Sequence, residues 1–195
     1  DYVYDIAQLF FHLGLEKAPI IGHSLGGAIT LNFAGAFPDK VTKLIAIEGL
    51  GLSPESMKKR SKDSTPEKMQ KWVEQMRGVA GRLPRRYDTI EEAASRMHEA
   101  NAHLSADQAW HLTVHGVNQN EDGTYSWKFD NYVRVDRPFG LSPDEIKDFW
   151  RSIDCPTLLV RGTESWASDP SKDGRAENFK NARVENIERA GHWVH

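Results

Sequence analysis

The sequence predicts an α/β fold, in which a parallel sheet is flanked by helices and carries a mostly helical insertion. A short apolar run at Ala18–Ile21 is followed by a helix that starts near Leu25 and by a second apolar, β-branched run at Val41–Ile47. A strand, a helix and a strand at this spacing form a βαβ unit, which implies parallel strands. The buried-strand pattern returns only at Pro156–Val160, so a long segment separates the two parts of the sheet.

The elements around this sheet are predicted from periodicity. Residues 3–13 repeat apolar side chains at steps of three and four and end at Gly14, which predicts an amphipathic helix. The helix from Leu25 ends before Pro38 and is rich in Gly and Ala, so it can lie close against a sheet. A weaker apolar pattern at 183–187 predicts a last strand.

The middle of the chain has the signals of helix starts. Thr65 is followed by Pro66, Ser142 by Pro-Asp-Glu, and two pairs fit capping boxes: Thr89 with Glu92, and Ser105 with Gln108. Asp122-Gly123 before alternating aromatic residues predicts a short hairpin. We therefore predict about four strands in a sheet domain formed by residues 1–51 and 151–195, and a helical cap formed by residues 52–150.

Composition excludes several classes of protein. The 195 residues are 39% hydrophobic and 27% charged, which supports a packed core, and the net charge of −3 does not favour nucleic acid as a partner. No apolar run is long enough for a transmembrane helix. Cys155 is the only cysteine, so neither an internal disulfide nor a cysteine zinc cluster can form. A lone cysteine fits a reducing compartment, and we predict a cytoplasmic protein.

The motif Gly-x-Ser-x-Gly occurs at residues 22–26, directly between a predicted strand and a predicted helix. A sharp turn in this context exposes the hydroxyl of Ser24 at the carboxyl edge of the sheet. The next backbone N–H, that of Leu25, then faces the oxyanion that develops when a serine attacks a carbonyl carbon, and the helix N-terminus adds positive potential. The pattern predicts a nucleophilic serine.

Two other interpretations of this turn remain open. It could be a glycine-rich turn without chemistry. It could also bind a dinucleotide, because Gly22, Ser24 and Gly27 occupy the three glycine positions of Gly-x-Gly-x-x-Gly and Glu48 follows at a strand end. The serine at the middle position argues against the dinucleotide, since close approach of a pyrophosphate requires glycine there.

The segments around this motif resemble the α/β-hydrolase superfamily. Gly-His-Ser-Leu-Gly-Gly at residues 22–27 is similar to its nucleophile turn, residues 38–47 to its next crossover and strand, residues 156–162 to its penultimate strand, and Ala190-Gly191-His192 to its histidine loop. Residues 48–51, 127–130 and 161–166 also resemble serine-hydrolase-like proteins. The resemblance implies His192 as the general base.

The resemblance leaves the acid of the triad open. The superfamily commonly places it three residues after a glycine that here is Gly162, but Ser165 occupies that position. Glu48 ends the strand that follows the serine helix, where some members carry a glutamate, and it is our first candidate. Asp169 and Glu164 are the alternatives.

These residues predict a serine hydrolase that cleaves a small-molecule ester of a small or medium apolar acyl group through an acyl-enzyme. A carbon–carbon bond hydrolase with the same triad and a non-catalytic, hydrolase-like binding protein are the alternatives. No cofactor and no metal are implied, and the oligomeric state is left open. The resemblance also implies earlier strands and a second oxyanion donor ahead of residue 18, so we expect the chain to be a fragment with weak activity or none.

Three further features are interpreted as structural. His23, beside the serine, is expected to pack under the site. His111 and His115 are four residues apart but lack the glutamate of a zinc-binding helix, so a surface pair is predicted. Residues 53–88 hold ten Lys or Arg against five Asp or Glu, and a solvated cap face is a simpler interpretation than an anion-binding patch.

Overall fold

A four-stranded parallel sheet organises the part of the chain that carries the predicted site. The computed structural model describes residues 2–60, 62–135 and 137–194. Its helices and strands in chain order are α1 Tyr2–His12, β1 Ala18–His23, α2 Leu25–Ala36, β2 Val41–Ile47, α3 Pro54–Arg60, α4 Thr65–Val79, β3 Arg86–Tyr87, α5 Ile90–Ala100, α6 Ala106–Gly116, β4 Val117–Gln119, β5 Tyr125–Trp127, α7 Pro143–Ser152, β6 Thr157–Gly162 and β7 Ala182–Ile187.

The strand order of this sheet is β1-β2-β6-β7, and every pair is parallel. Ile21 pairs with Ile45 of β2, and Ala46 pairs with Leu159 of β6. The predicted parallel sheet of about four strands is therefore confirmed. Parallel order also brings the carboxyl ends of all four strands to one edge, which is where ligands bind in sheets of this kind.

Helix α2 lies against the sheet and supplies much of the core. Its small residues allow close approach: a side chain at Gly35 would collide with the backbone of Phe149 in α7. The buried apolar residues of this core are Phe10, Leu31, Phe33, Ala34, Val41, Leu44, Ala46, Trp150, Ile153, Cys155 and Leu159. These residues lie between 10 and 46 and between 150 and 159, so two segments far apart in the sequence pack into one core.

The chain divides into two compact units, Asp1–Lys62 with Leu141–His195, and Asp63–Gly140. The second unit falls within the predicted insertion 52–150. Helix α3 and most of α7 also fall within that range, but they group with the first unit, and α7 packs on α2. The boundaries predicted for the insertion stay a prediction.

The second unit holds α4, α5 and α6 and a small antiparallel sheet of order β3-β5-β4. Strands β4 and β5 form a hairpin, and the turn predicted at Asp122-Gly123 lies between them. The strand β3 was not predicted, because two residues are too short to show a period. Tyr87, Ala93 and Val117 form the core of this unit.

The helix caps that the sequence predicted are present in the structure, with one exception at α5. Ser105 and Gln108 form the predicted capping box of α6, and Ser142 with Glu145 forms one at α7. At α5, Thr89 accepts the amide N–H of Glu92 at 3.2 Å, but the Glu92 carboxylate accepts the N–H of Asp88 instead of that of Thr89. The second half of the predicted Thr89–Glu92 box is therefore wrong. None of the helices within the described residues has the length and apolar character needed to cross a bilayer.

Candidate active site

The carboxyl ends of β1, β2 and β6 bring Ser24 and Glu48 to one edge of the sheet. The backbone N–H of Ser24 donates to Ile47 at 2.8 Å, and that of Glu48 donates to Val160 at the same distance. The hydrogen-bonded ladder therefore runs one residue beyond β1 and β2, so both residues stand at the first position after a strand. Their side chains share this edge because the strands are parallel and in register.

Ser24 lies in a strained turn between β1 and α2. Its backbone has φ 54° and ψ −120°, in a region that non-glycine residues rarely occupy. The turn is so tight that a side chain at Gly22 would collide with the carbonyl of Gly26. Leu25 begins α2, and the first amides of a helix have no partner within the helix, so its N–H has no acceptor in α2.

His192 reaches Ser24 from the loop after β7. This loop lies close to the end of β6: the N–H of Glu164 donates to Ala190 at 3.0 Å, and a side chain at Gly162 would collide with the Gly191 carbonyl. The Nε2 atom of His192 lies 2.9 Å from the Oγ atom of Ser24. The imidazole is thus in position to accept the serine proton.

The other nitrogen of His192 contacts Glu48. Its Nδ1 atom lies 3.1 Å from the Oε2 atom of Glu48, whose residue is 5% exposed. The carboxylate also accepts the N–H of Gly162 at 2.8 Å and a short hydrogen bond from the hydroxyl of Ser165. A buried carboxylate requires such partners because burial without them is costly. The structure therefore joins Ser24, His192 and Glu48 in one hydrogen-bonded series.

Ser165 completes the surroundings of Glu48 in a way that sequence reasoning missed. It stands three residues after Gly162, where the resemblance leads one to look for a carboxylate. Its hydroxyl donates to Glu48 and accepts the N–H of Ala167 at 3.2 Å. The absence of a carboxylate at this position was the available signal, because a hydroxyl there can serve an acid that comes from elsewhere.

Arg175 is a second residue that the sequence did not single out. It is 4% exposed, and its guanidinium donates to the carbonyl of Gly51 at 3.3 Å and to that of Ser168 at 2.9 Å. Asp173 pairs with it at 2.8 Å. Arg175 therefore ties the segment after Glu48 to the loop after β6. One arginine among many carries no sequence signal for this role.

The two alternative acids lie elsewhere. The Asp169 carboxylate accepts bonds from the N–H of Ser171 at 3.0 Å and its hydroxyl at 2.6 Å. Partial burial raises the pKa of Asp169, but these hydrogen bonds and the positive charges of Lys172 and Arg161 together hold the pKa below its ordinary value. Glu164 is exposed, and its backbone N–H donates to the carbonyl of Ala190 in the histidine loop. Of the three candidate acids, Glu48 is the one whose carboxylate contacts His192.

Aromatic rings surround the imidazole of His192. The ring of His23 lies 4.8 Å from it, and the Nε2 atom of His23 donates to the carbonyl of His192 at 2.9 Å. Trp166 lies 5.4 Å from the imidazole on the loop after β6. His23 therefore packs beside the site and holds the histidine loop by its backbone, in agreement with the role predicted for it.

Within the described residues, no group of three or more His, Cys, Asp or Glu side chains is arranged to hold a metal ion. The rings of His111 and His115 make an edge-to-face contact on α6, with centroids 4.6 Å apart. The glycine pattern that suggested a dinucleotide has another explanation in this fold. Gly27 allows α2 to touch the chain at Gly49, because a Cβ atom at Gly27 would lie 2.7 Å from the Gly49 Cα atom. The Glu48 carboxylate is hydrogen-bonded to His192.

The chain is similar to several proteins named as esterases or as hydrolase-like proteins. It is 25% identical over 189 residues to the esterase YbfF of Escherichia coli, covering 93% of this chain and 62% of the relative. It is 26% identical over 166 residues to a serine hydrolase-like protein of Danio rerio, covering 82% and 48%. The chain thus spans less than two thirds of the length of these curated relatives.

Solved structures have the same fold. A hypothetical protein of Pseudomonas aeruginosa PAO1 superposes with a TM-score of 0.82 at 24% identity, over 98% of this chain and 66% of that one. The thioesterase domain from the curacin biosynthetic pathway superposes with a TM-score of 0.77 at 22% identity, over 97% and 66%. The family profile for the alpha/beta hydrolase fold matches residues 1–195, so the chain belongs to the alpha/beta hydrolase family.

Proposed function

We propose that this protein is a serine hydrolase that cleaves carboxylic esters of small or medium apolar acyl groups through an acyl-enzyme. One observation carries the proposal: Ser24 Oγ lies 2.9 Å from His192 Nε2, and His192 Nδ1 lies 3.1 Å from Glu48 Oε2. A nucleophile, a base and a group that orients the base form the arrangement by which a serine hydroxyl is activated.

In the first half of the proposed reaction, His192 Nε2 removes the Ser24 proton while Oγ attacks the ester carbonyl carbon. The carbonyl oxygen becomes an oxyanion, which accepts a hydrogen bond from the Leu25 N–H at the start of α2. Glu48 accepts the bond from Nδ1–H and stabilises the imidazolium. The intermediate then collapses: the carbon–oxygen bond to the alcohol breaks, and His192 returns the proton to the leaving alcohol.

In the second half, water replaces the alcohol. His192 Nε2 takes a proton from water, whose oxygen attacks the acyl carbon, and the same Leu25 N–H faces the second oxyanion. Collapse breaks the bond to Ser24 Oγ, which recovers its proton from His192. The products are a carboxylic acid and the unmodified enzyme.

Three further observations support this proposal. The strained backbone of Ser24 and the glycines around it have the features of a nucleophile turn. The Escherichia coli relative is named an esterase, and a solved neighbour is named a thioesterase domain. Both names describe transfer of an acyl group to water, which is the reaction proposed for Ser24.

The test is covalent labelling of the full gene product that contains this chain. We expect a fluorophosphonate probe to add one adduct by intact mass, and Ser24→Ala to abolish it. Hydrolysis of p-nitrophenyl esters from acetate to octanoate then measures acyl preference, with a maximum expected at short or medium chains. A folded protein that forms no adduct would contradict the proposal and favour the non-catalytic binding protein.

A further inference from the structure

The unit of residues 63–140 contains a large cavity of its own, with a volume of about 940 Å³. Its walls come from the end of α4, the loop that leads into β3, the second half of α5 and the segment after β5. This volume lies at the upper end of the range of about 300–1,000 Å³ found for small-molecule sites. The cavity can therefore hold an organic molecule rather than a few waters.

The charged side chains of the wall are all cationic. Arg82 and Arg85 line the cavity from the loop before β3, and Arg96 lines it from α5. Among the described residues that form the wall there is no Asp or Glu. Arg96 pairs with Glu99 at 3.1 Å, whereas neither of the two loop arginines forms an ion pair within the described part of the chain. The wall thus presents two guanidinium groups in a position to pair with an anion.

The rest of the wall is apolar and aromatic. Tyr87, Trp127 and Phe129 line the same cavity, and Tyr87 is buried. The guanidinium carbon of Arg85 lies 5.1 Å from the centre of the Tyr87 ring, a cation–π contact that holds this charge on the cavity wall. Aromatic faces of this kind stack on flat apolar groups, while guanidinium forks pair with carboxylates through two hydrogen bonds.

We propose that this cavity binds an amphipathic organic carboxylate, whose charged group pairs with Arg82 and Arg85 and whose apolar or aromatic body packs on Tyr87, Trp127 and Phe129. A carboxylate matches the charge of the wall, where Arg82 and Arg85 are exposed and can each pair with it through two hydrogen bonds. An amphipathic ligand is required because a small inorganic anion would leave the aromatic wall unfilled. Part of the basic segment 53–88, which the sequence predicted to be a solvated face, would thereby also bind a ligand.

This inference goes beyond the proposed ester hydrolysis and does not depend on it. The site is measured by equilibrium binding, so the two proposals fail separately. An inert Ser24 would leave the carboxylate site untouched, and an empty cavity would leave the labelling of Ser24 untouched.

The experiment titrates 2-naphthoate into the full gene product and follows the indole N–H signal of Trp127 by NMR, assigned with Trp127→Phe. Its neutral counterpart 2-naphthamide tests the requirement for charge. Arg85→Gln and Arg82→Gln remove the two guanidinium groups. Arg86→Gln is the matched control, because Arg86 is the next residue but pairs with Asp122 instead of lining the cavity.

We expect 2-naphthoate to shift the Trp127 signal with a Kd below about 1 mM, and the amide to bind about tenfold more weakly or worse. Arg85→Gln and Arg82→Gln should each weaken binding about tenfold, the loss expected for a hydrogen-bonded charge, and Arg86→Gln should change it less than about twofold. An unchanged Trp127 signal without ligand shows that each variant is folded. Equal binding of acid and amide, equal losses in Arg85→Gln and Arg86→Gln, or no shift of Trp127 would each overturn the proposal.

Discussion

Glu48 is the residue at which the candidate site differs from the arrangement most often implied by the family resemblance. Its carboxylate is buried and meets His192, Gly162 and Ser165 at the end of β2. The loop after β6, where an acid is more usual, supplies the Ser165 hydroxyl instead. Residues after two strands therefore help to hold His192. The Glu48 carboxylate comes from the end of β2, and the Ser165 hydroxyl that donates to it comes from the loop after β6.

The first prediction separates the candidate acids. Glu48→Gln removes the charge beside His192 Nδ1 and allows the wrong tautomer, so kcat for p-nitrophenyl butyrate should fall by about 10³–10⁴-fold. Asp169→Asn serves as the matched control, because Asp169 bonds to Ser171 rather than to His192, and its kcat should change less than about threefold. Steady-state kinetics on both variants decide the point. A larger loss in Asp169→Asn than in Glu48→Gln would contradict it.

The second prediction concerns Ser165. Ser165→Ala removes one of the donors to the Glu48 carboxylate, so the acid should hold His192 less firmly. We expect kcat to fall about tenfold with KM nearly unchanged, since a hydrogen bond to a charged group contributes about 1.5–3 kcal/mol. Ser165→Thr keeps the hydroxyl and should restore most of kcat. If the threonine variant were as slow as the alanine variant, the hydroxyl would not be the cause.

At the scale of elements, close backbone contact between α2 and the end of β2 positions the site. Gly27 and Gly49 touch through their backbones: a Cβ atom at Gly49 would lie 2.6 Å from the Gly27 Cα atom. This contact sets how near the start of α2, and with it Ser24, comes to Glu48. Backbone atoms cannot move aside as the end of a flexible side chain can.

The third prediction tests this contact. Gly27→Ala should lower the free energy of unfolding by about 1–3 kcal/mol, because the added methyl group is forced against the Gly49 backbone. Gly26→Ala is the neighbouring control: apart from its chain neighbours and the nearby backbone of its own helix, no described atom lies within 4 Å of its Cβ position, and alanine favours a helix by up to about 1 kcal/mol over glycine. Urea denaturation measures both. Equal midpoints for the two variants would show that the Gly27–Gly49 contact is not tight.

At the scale of the whole molecule, apolar side chains remain exposed beside β1. In the described sheet, β1 pairs with β2 on one side, and Ile21 of β1 is 67% exposed. Phe11 and Leu13 near the end of α1 are exposed as well. An exposed apolar strand edge is a surface for pairing with another chain.

The fourth prediction follows for the 195-residue chain in solution. We expect it to self-associate in a concentration-dependent way, and Ile21→Lys to reduce this association because a charge at a strand edge opposes pairing. Val133→Lys is the matched control, since Val133 is 67% exposed like Ile21 but belongs to the unit of residues 63–140. Sedimentation velocity over a range of concentrations reports the outcome. If Ile21→Lys and Val133→Lys associated to the same extent, the contact between chains would not lie at β1.

Local patterns in the sequence were sufficient to predict the parallel strands and the turn at Ser24, whereas the histidine loop was implied by the family resemblance. Apolar runs, glycines and helix caps act between residues near each other in the chain, so their signal is present before folding. The bounds of β2 agreed with the prediction, as did the capping box at Ser105. Short elements such as β3, whose two residues show no period, were not predictable in this way.

Only the tertiary structure decided which carboxylate contacts His192 and what holds it there. Glu48 and His192 are 144 residues apart, and Ser165 meets Glu48 across 117 residues. Such pairs depend on strand order, on register and on the Gly27–Gly49 contact, none of which is contained in a local pattern. The sequence by itself determined the kind of site, whereas the packing of distant strands decided which acid completes its hydrogen-bonded series.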